Sequence, residues 1–154
     1  MTPLLQITLD GQPKGKGRPR FSRASGRAFT PAATRSYEAA LRYAAQEEQG
    51  EASPLTGPLR VEIEARMPVP ASWPKKRRED ALANRTAAVG KPDIDNLMKT
   101  IDALNGVVWV DDAQVASATV FKVFSDKPAL HIRVYDWRAP LQQPATGASN
   151  GFFA

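Results

Sequence analysis

The sequence predicts an α+β fold, and three observations carry that expectation. Segments of strand period and of helix period follow one another along the chain, and no internal repeat is present. At 154 residues the chain suits one compact domain followed by a tail. A composition of 42% hydrophobic and 24% charged residues is an ordinary globular balance.

Leu4 to Leu9 is mostly apolar and reads as the first strand. Gly11 to Phe29 reads as a loop, because Gly11, Pro13, Gly15, Gly17, Pro19 and Gly26 interrupt regular structure. Thr30-Pro31 is a helix start, a capping hydroxyl followed by proline at the first helical position. That helix is expected to run to about Gln49, with Tyr37, Leu41 and Ala44–Ala45 on its buried stripe and Gly50 closing it. From Leu59 to Met67 apolar and charged residues alternate, the pattern of a half-buried strand, which Pro68 and Pro70 end. Ser72-Trp73-Pro74 opens a short charged helix to about Asn84.

A third helix follows Pro92, opened by Asp93 or Ile94 and closed by Asn105-Gly106. Ile94, Leu97, Met98, Ile101 and Leu104 give it one apolar face, with Asp95, Lys99 and Asp102 on another. Val107 to Val110 reads as a short strand, Asp111-Asp112 as a turn, and Gln114–Phe124 and Ala129–Tyr135 as two last strands joined at Ser125–Pro128. The domain is therefore expected over 1–137, and 138–154, rich in Pro, Gln, Gly, Ser and Ala, as a disordered tail.

Composition excludes several chemistries. With no cysteine there are no disulfides, thiolate metal sites or Cys nucleophiles, and the single His131 excludes a His-rich zinc site. His131 itself is expected on the surface of a strand, and Trp73 and Trp109 as packing residues. No apolar run is long enough to span a membrane and the N-terminus lacks a signal-peptide pattern, so a cytoplasmic protein is expected.

The charge is unevenly placed. There are 21 Lys and Arg against 16 Asp and Glu, a net +5. Residues 11–35 carry seven bases and no acid, and Lys75-Lys76-Arg77-Arg78 is a second basic cluster. Between Lys91 and Asp112 the sign reverses, with five aspartates against two lysines. A basic body around a carboxylate cluster suits a metal-dependent enzyme acting on phosphodiesters: the bases attract the polyanion and carboxylate oxygens hold a hard cation.

Asp93 and Asp95 lie two apart at a helix start and can point into one space, where like charges repel unless a cation lies between them. Asp111 or Asp112, from the following turn, can supply a third carboxylate. Lys99, one helical turn after Asp95, can neutralise part of the cluster or touch a scissile phosphate. The structural alternatives are a helix cap at Asp93, an exposed Asp95–Lys99 ion pair and a plain turn at Asp111-Asp112.

The stretch Asp93-Ile94-Asp95-Asn96-Leu97-Met98-Lys99, then Asp102-Ala103-Leu104-Asn105-Gly106, then Trp109-Val110-Asp111-Asp112-Ala113-Gln114-Val115 resembles the RusA family of Holliday junction resolvases, in particular its phage and prophage branch. Gly15-Lys16-Gly17-Arg18-Pro19-Arg20-Phe21 resembles the family's N-terminal basic loop, and Ser72 to Arg78 its basic element ahead of the active site. The resemblance covers about residues 4–135 and leaves the tail outside.

It implies a single domain with a mixed sheet, helices packed on that sheet, and a homodimer. The implied activity is a crossover junction endodeoxyribonuclease of DNA recombination and repair, dependent on Mg²⁺ or Mn²⁺ and using no organic cofactor. Asp93, Asp95 and Asp112 fall on the family's metal-binding carboxylates and Lys99 on its catalytic lysine, with Asp111 a neighbour. Lys14, Lys16, Arg18, Arg20, Lys75, Lys76, Arg77 and Arg78 are then expected on the phosphates of branched DNA, with Phe21 and Phe29 either stacked on bases at the branch point or anchoring the loop to the core. Two competing functions are a flap or branched-DNA nuclease of the same chemistry and a DNA-binding protein without catalysis.

Overall fold

Leu59, Val61, Ile63, Ala65 and Met67 alternate with Arg60, Glu62, Glu64 and Arg66, and this period of two becomes an interior strand of a four-stranded sheet. The computed structural model describes residues 2–17 and 20–139. Its elements are β1 (Leu5–Asp10), β2 (Arg20–Phe21), β3 (Ala28–Phe29), α1 (Ala32–Gln49), β4 (Leu59–Pro68), α2 (Lys75–Leu82), α3 (Ile94–Met98), β5 (Val115–Ser125) and β6 (Ala129–Asp136), with 3-10 turns at Lys99–Leu104 and Asp112–Gln114. The strand order is β1-β6-β4-β5, with β4 and β5 parallel and the other pairs antiparallel. The expected α+β fold with a mixed sheet is thus present, on one hydrophobic core. The two last strands do not pair with each other, because β4 lies between them.

One face of the sheet is apolar. Register sets Ile7, Ile132, Ile63 and Val120 side by side, and Leu41 and Ala45 of α1 and Leu97, Ile101 and Leu104 of the third helical segment pack against that face. Burying such side chains fully contributes about 1.5–3 kcal/mol each. The other face carries a charged ladder in which Arg133 meets Glu62 at 2.9 Å and Glu64 at 3.7 Å, and Arg66 meets Glu64 at 2.8 Å. His131 lies on this face, half-buried, with its Nδ1 3.0 Å from Thr8 Oγ1. Arg60 is the exception there. It is buried, its guanidinium lies 4.2 Å over the Tyr135 ring, and Nε and Nη2 have no hydrogen-bond partner among the described residues.

Four local expectations change. The basic loop contains a short hairpin, β2 with β3, whose strands have two residues each. Thr30 does not cap α1, whose cap position is Pro31 with no side-chain bond; Gly50, at φ 57°, does close it. The third helix is α-helical only to Met98 and tightens to 3-10 geometry from Lys99, where Thr100 Oγ1 donates 2.6 Å back to the Leu97 carbonyl. The expected strand Val107–Val110 is instead a turn, buried from Val107 to Trp109. Gly106 takes φ 78°, its N–H donates to the Trp109 carbonyl at 2.7 Å, and the N–H groups of Val107 and Val108 both return to Leu104. Val107, Val108 and Trp109 enter the core without joining a strand ladder, while Val110 stays exposed. Of the expected tail, residues 140–154 lie outside the described residues.

Candidate functional site

The acidic segment is mounted on the third helical segment and the turn that follows it. Asp93 occupies the N-cap position of α3, yet its side chain caps nothing and, among the described residues, meets only Lys91 Nζ, at 3.2 Å. Asp95, in the first turn, is 3.7 Å from Lys99 in an exposed i,i+4 pair worth about 0.3–0.5 kcal/mol. Neither carboxylate closes a local backbone bond.

The turn divides its two acids by role. Asp111 is a structural cap: its carboxylate accepts the Ala113 N–H at 3.0 Å, and that hydrogen bond, with the neighbouring Asp112, holds its pKa below the ordinary value. Gln114 completes a capping box, its Oε1 accepting from Val110 N–H at 3.0 Å and Asp111 N–H at 3.1 Å. Its Nε2 donates to the carbonyls of Leu55 and Gly57, both at 3.0 Å, which ties the turn to the entry of β4. Asp112 caps nothing. It lies against Asp102 and then Asp111, and their carboxylates, with a little burial, push its pKa up to about 6.

Lys99, Asp102 and Asp112 border one cleft of about 350 Å³, with Met98, Ile101 and Val115 as its apolar wall. Asp93 and Asp95 do not line it. Among the described residues no three acidic or histidine side chains form a group that could hold a metal ion, so the three expected ligands do not stand as a closed set.

The basic loop is docked on this acidic segment. Lys16 N–H donates to the Asn96 carbonyl at 3.0 Å, and Lys16 Nζ lies 3.2 Å from Asp102 and 3.5 Å from Glu38. Burial works to lower the Lys16 pKa, but the Asp102 hydrogen bond and the Glu38 charge outweigh it and leave it raised. The glycines beside it are required by contact. A Cβ on Gly15 would stand 2.7 Å from the Asn96 Cβ and 2.9 Å from that of Pro92, and one on Gly17 2.7 Å from Thr34 Oγ1, which accepts the Gly17 N–H.

The remaining bases stand outward. Lys14, Arg20, Lys75, Lys76, Arg77 and Arg78 are exposed, and Arg18 lies outside the described residues. Lys75 and Lys76 make i,i+4 pairs with Glu79 and Asp80, while Arg77 lies 3.7 Å over the Trp73 ring. Phe21 and Phe29, 68% and 47% exposed on the hairpin, do not anchor the loop to the core. Trp109 is the packing residue expected, fully buried with Nε1 donating to Asn105 Oδ1 at 2.7 Å.

Sequence reasoning missed the Lys16–Asp102–Glu38 bridge, the anchoring by Gln114 and the part of Lys122. Gln114 had a signal, since Asp-x-x-Gln is a capping-box spacing. Lys122 had none: from β5 it donates to the carbonyls of Gly90 at 2.7 Å and Pro92 at 3.0 Å, fixing the chain that leads into Asp93.

An α+β scaffold thus presents two carboxylates and a lysine at an open cleft, with exposed arginines beyond, the arrangement of a protein that handles a polyanion. Residues 10–135 match the family described as Endodeoxyribonuclease RusA, and the chain belongs to that family of DNA-cutting hydrolases. It is also similar to the uncharacterized protein YqaN of Bacillus subtilis (strain 168), 30% identical over an alignment of 135 residues that covers 84% of this chain and 94% of YqaN. Among the described residues no helix is long and apolar enough to cross a membrane.

Proposed function

We propose that the protein is a structure-selective endodeoxyribonuclease that resolves four-way DNA junctions, as a cytoplasmic homodimer whose domain spans 1–137, with Mg²⁺ or Mn²⁺ held by Asp93, Asp95 and Asp112. The observation that carries the reading is that none of these acids accepts a backbone N–H among the described residues, Asp93 and Asp95 meeting only exposed lysines there. Asp93 sits at a cap position and caps nothing, and Asp112 lies against two other carboxylates with no backbone donor of its own. Carboxylates that serve the fold look like Asp111, which accepts a backbone N–H. The donor set is all oxygen, which fits a hard divalent cation in kind.

Bound there, the cation would activate a water and neutralise charge on the phosphate. The chain's own groups do the rest. Lys99 stands at the cleft edge, where its ammonium can meet charge developing on a phosphoryl oxygen. Gln114 and Lys122 fix the two backbone segments that carry the acids. Lys14, Arg20 and Lys75 to Arg78 hold backbone phosphates, which positions DNA without reading bases. Exposed Phe21 and Phe29 are available to stack on bases unpaired at a branch point. A two-fold dimer would offer two identical sites to a pseudo-two-fold junction.

The test is cleavage of a mobile four-way junction, a flap and a linear duplex with Mg²⁺, by wild type and by Asp95→Asn. Paired nicking of the junction by wild type alone is expected. Preferential cutting of the flap would favour the alternative nuclease, and an Asp95→Asn variant as fast as wild type would overturn the metal assignment.

A further inference from the structure

A second cleft of about 350 Å³ is walled in part by Gly90 and Lys91, which lie just ahead of Asp93 in the chain. Met67 and Phe124, near the ends of β4 and β5, line it together with Trp73, Arg77 and the run Thr86–Lys91. The Phe124 ring meets Trp73 at 5.3 Å and an interplanar angle of 69°, and the Arg77 guanidinium lies over the same indole. The opposite wall is held by Lys122 through the Gly90 and Pro92 carbonyls. Its walls are apolar and aromatic, no acid lines it, and its cations are Arg77 and Lys91. Arg77 and its neighbour Arg78 make no ion pair among the described residues.

We propose that this cleft takes a single nucleobase turned out of the DNA beside the scissile phosphate. The proposal rests on the nuclease reading above and adds a base-holding site to it. A base needs an apolar slot for its faces and positive charge where its own phosphates pass, and the cleft offers both in one place. A purely apolar ligand would have no use for an exposed guanidinium that has no carboxylate partner among the described residues. The position fits as well: Lys91 of the wall is two residues from Asp93, about 7 Å of chain at most. A strand whose base enters the cleft therefore passes its backbone close to the acidic segment. Unpaired or strained bases cost least to turn out, which makes a branch point a favourable place and makes the cleft a source of preference for one base at the cut.

The experiment measures binding without divalent ion, so that no strand is cut. Four-way junctions are prepared intact and with an abasic site at each position around the branch point. They are titrated with the full-length wild type and with Ala87→Trp, an exposed position whose new ring fills the cleft away from the carboxylates. Val89→Trp, at a position 85% exposed, replaces it if that variant melts early. One abasic position is expected to weaken wild-type binding by about 5- to 150-fold, the worth of one stacked base. The filled variant should lose a similar factor on the intact junction and nothing further on that abasic one. Losses that multiply, the absence of any sensitive position, or a filled variant that binds as wild type does would overturn the proposal; the last would mark the cleft as one for another partner. The same preparations with Mg²⁺ test the nuclease reading separately. Coupled losses in a protein that cuts nothing leave the base site standing and remove the nuclease, whereas cutting without coupling does the reverse.

Discussion

Replacing Gln114 by alanine separates anchoring from catalysis. The side chain makes four hydrogen bonds of 3.0–3.1 Å, accepting from Val110 and Asp111 and donating to Leu55 and Gly57. Bonds of this kind contribute about 0.5–1.5 kcal/mol each. Three of the four are exposed and one is part-buried, so water replaces most of what is lost and the low end of that range, about 0.5 kcal/mol each, applies. The expected destabilisation is about 2 kcal/mol, or about 4–8 °C in melting temperature for a chain of this size. Urea unfolding followed by tryptophan fluorescence reads it, with Trp109 buried within the same turn. Cutting should fall by more than the unfolded fraction accounts for, because Asp112 loses the fixed backbone before it. Gln114→Glu keeps the acceptor, loses both donors and adds a charge beside Asp111, so it should not rescue. A Gln114→Ala protein that melts within about 0.5 kcal/mol of wild type and cuts at its rate would refute the reasoning.

Two further outcomes follow from charge. Lys16 is engaged with Asp102 and Glu38, so Lys16→Met should leave the salt dependence of DNA binding unchanged, whereas Arg78→Ala should reduce the slope of log K against log salt by about 0.9; equal slopes for the two variants would mean that Lys16 also meets phosphate. The Asp112 pKa lies near 6 in the fold against 3.8 ordinarily. A raised folded pKa favours folding below the unfolded value and loses that contribution as pH rises through the folded one. Asp112→Asn should therefore melt later than wild type above about pH 6, lose that advantage near pH 3.5, and cut nothing; an advantage equal at both pH values would show that repulsion from Asp102 and Asp111 is not its cause.

Much of the scaffold was legible because it is local. Alternation in 59–67 named both faces of β4, and Gly50 named the end of α1. The apolar spacing of the third helix named Leu97, Ile101 and Leu104, all buried. Ile94 fits the same spacing and is 44% exposed, because the segment tightens after Met98 and the stripe no longer holds through its first turn. Val107 to Val110 has the composition of a strand, and became a turn because Gly106 and Leu104 satisfy its backbone at short range.

The chemistry of the site was legible in kind. A basic body around an acidic segment, without cysteine and with one histidine, pointed to carboxylates as the groups that matter, and the family followed from the residues around them. Which acid does what was decided by the tertiary structure. Asp111 and Asp112 are neighbours of identical type, yet one accepts a backbone N–H and the other lies against Asp102, ten residues back. Lys16 counted as one basic residue among seven until Gly15 and Gly17 let its loop approach Asn96 and Thr34 closely enough to set it between Asp102 and Glu38. A charge has a sign in the sequence, but its partner, and so its pKa and its availability to DNA, depends on distances between segments far apart along the chain, and only packing sets those distances.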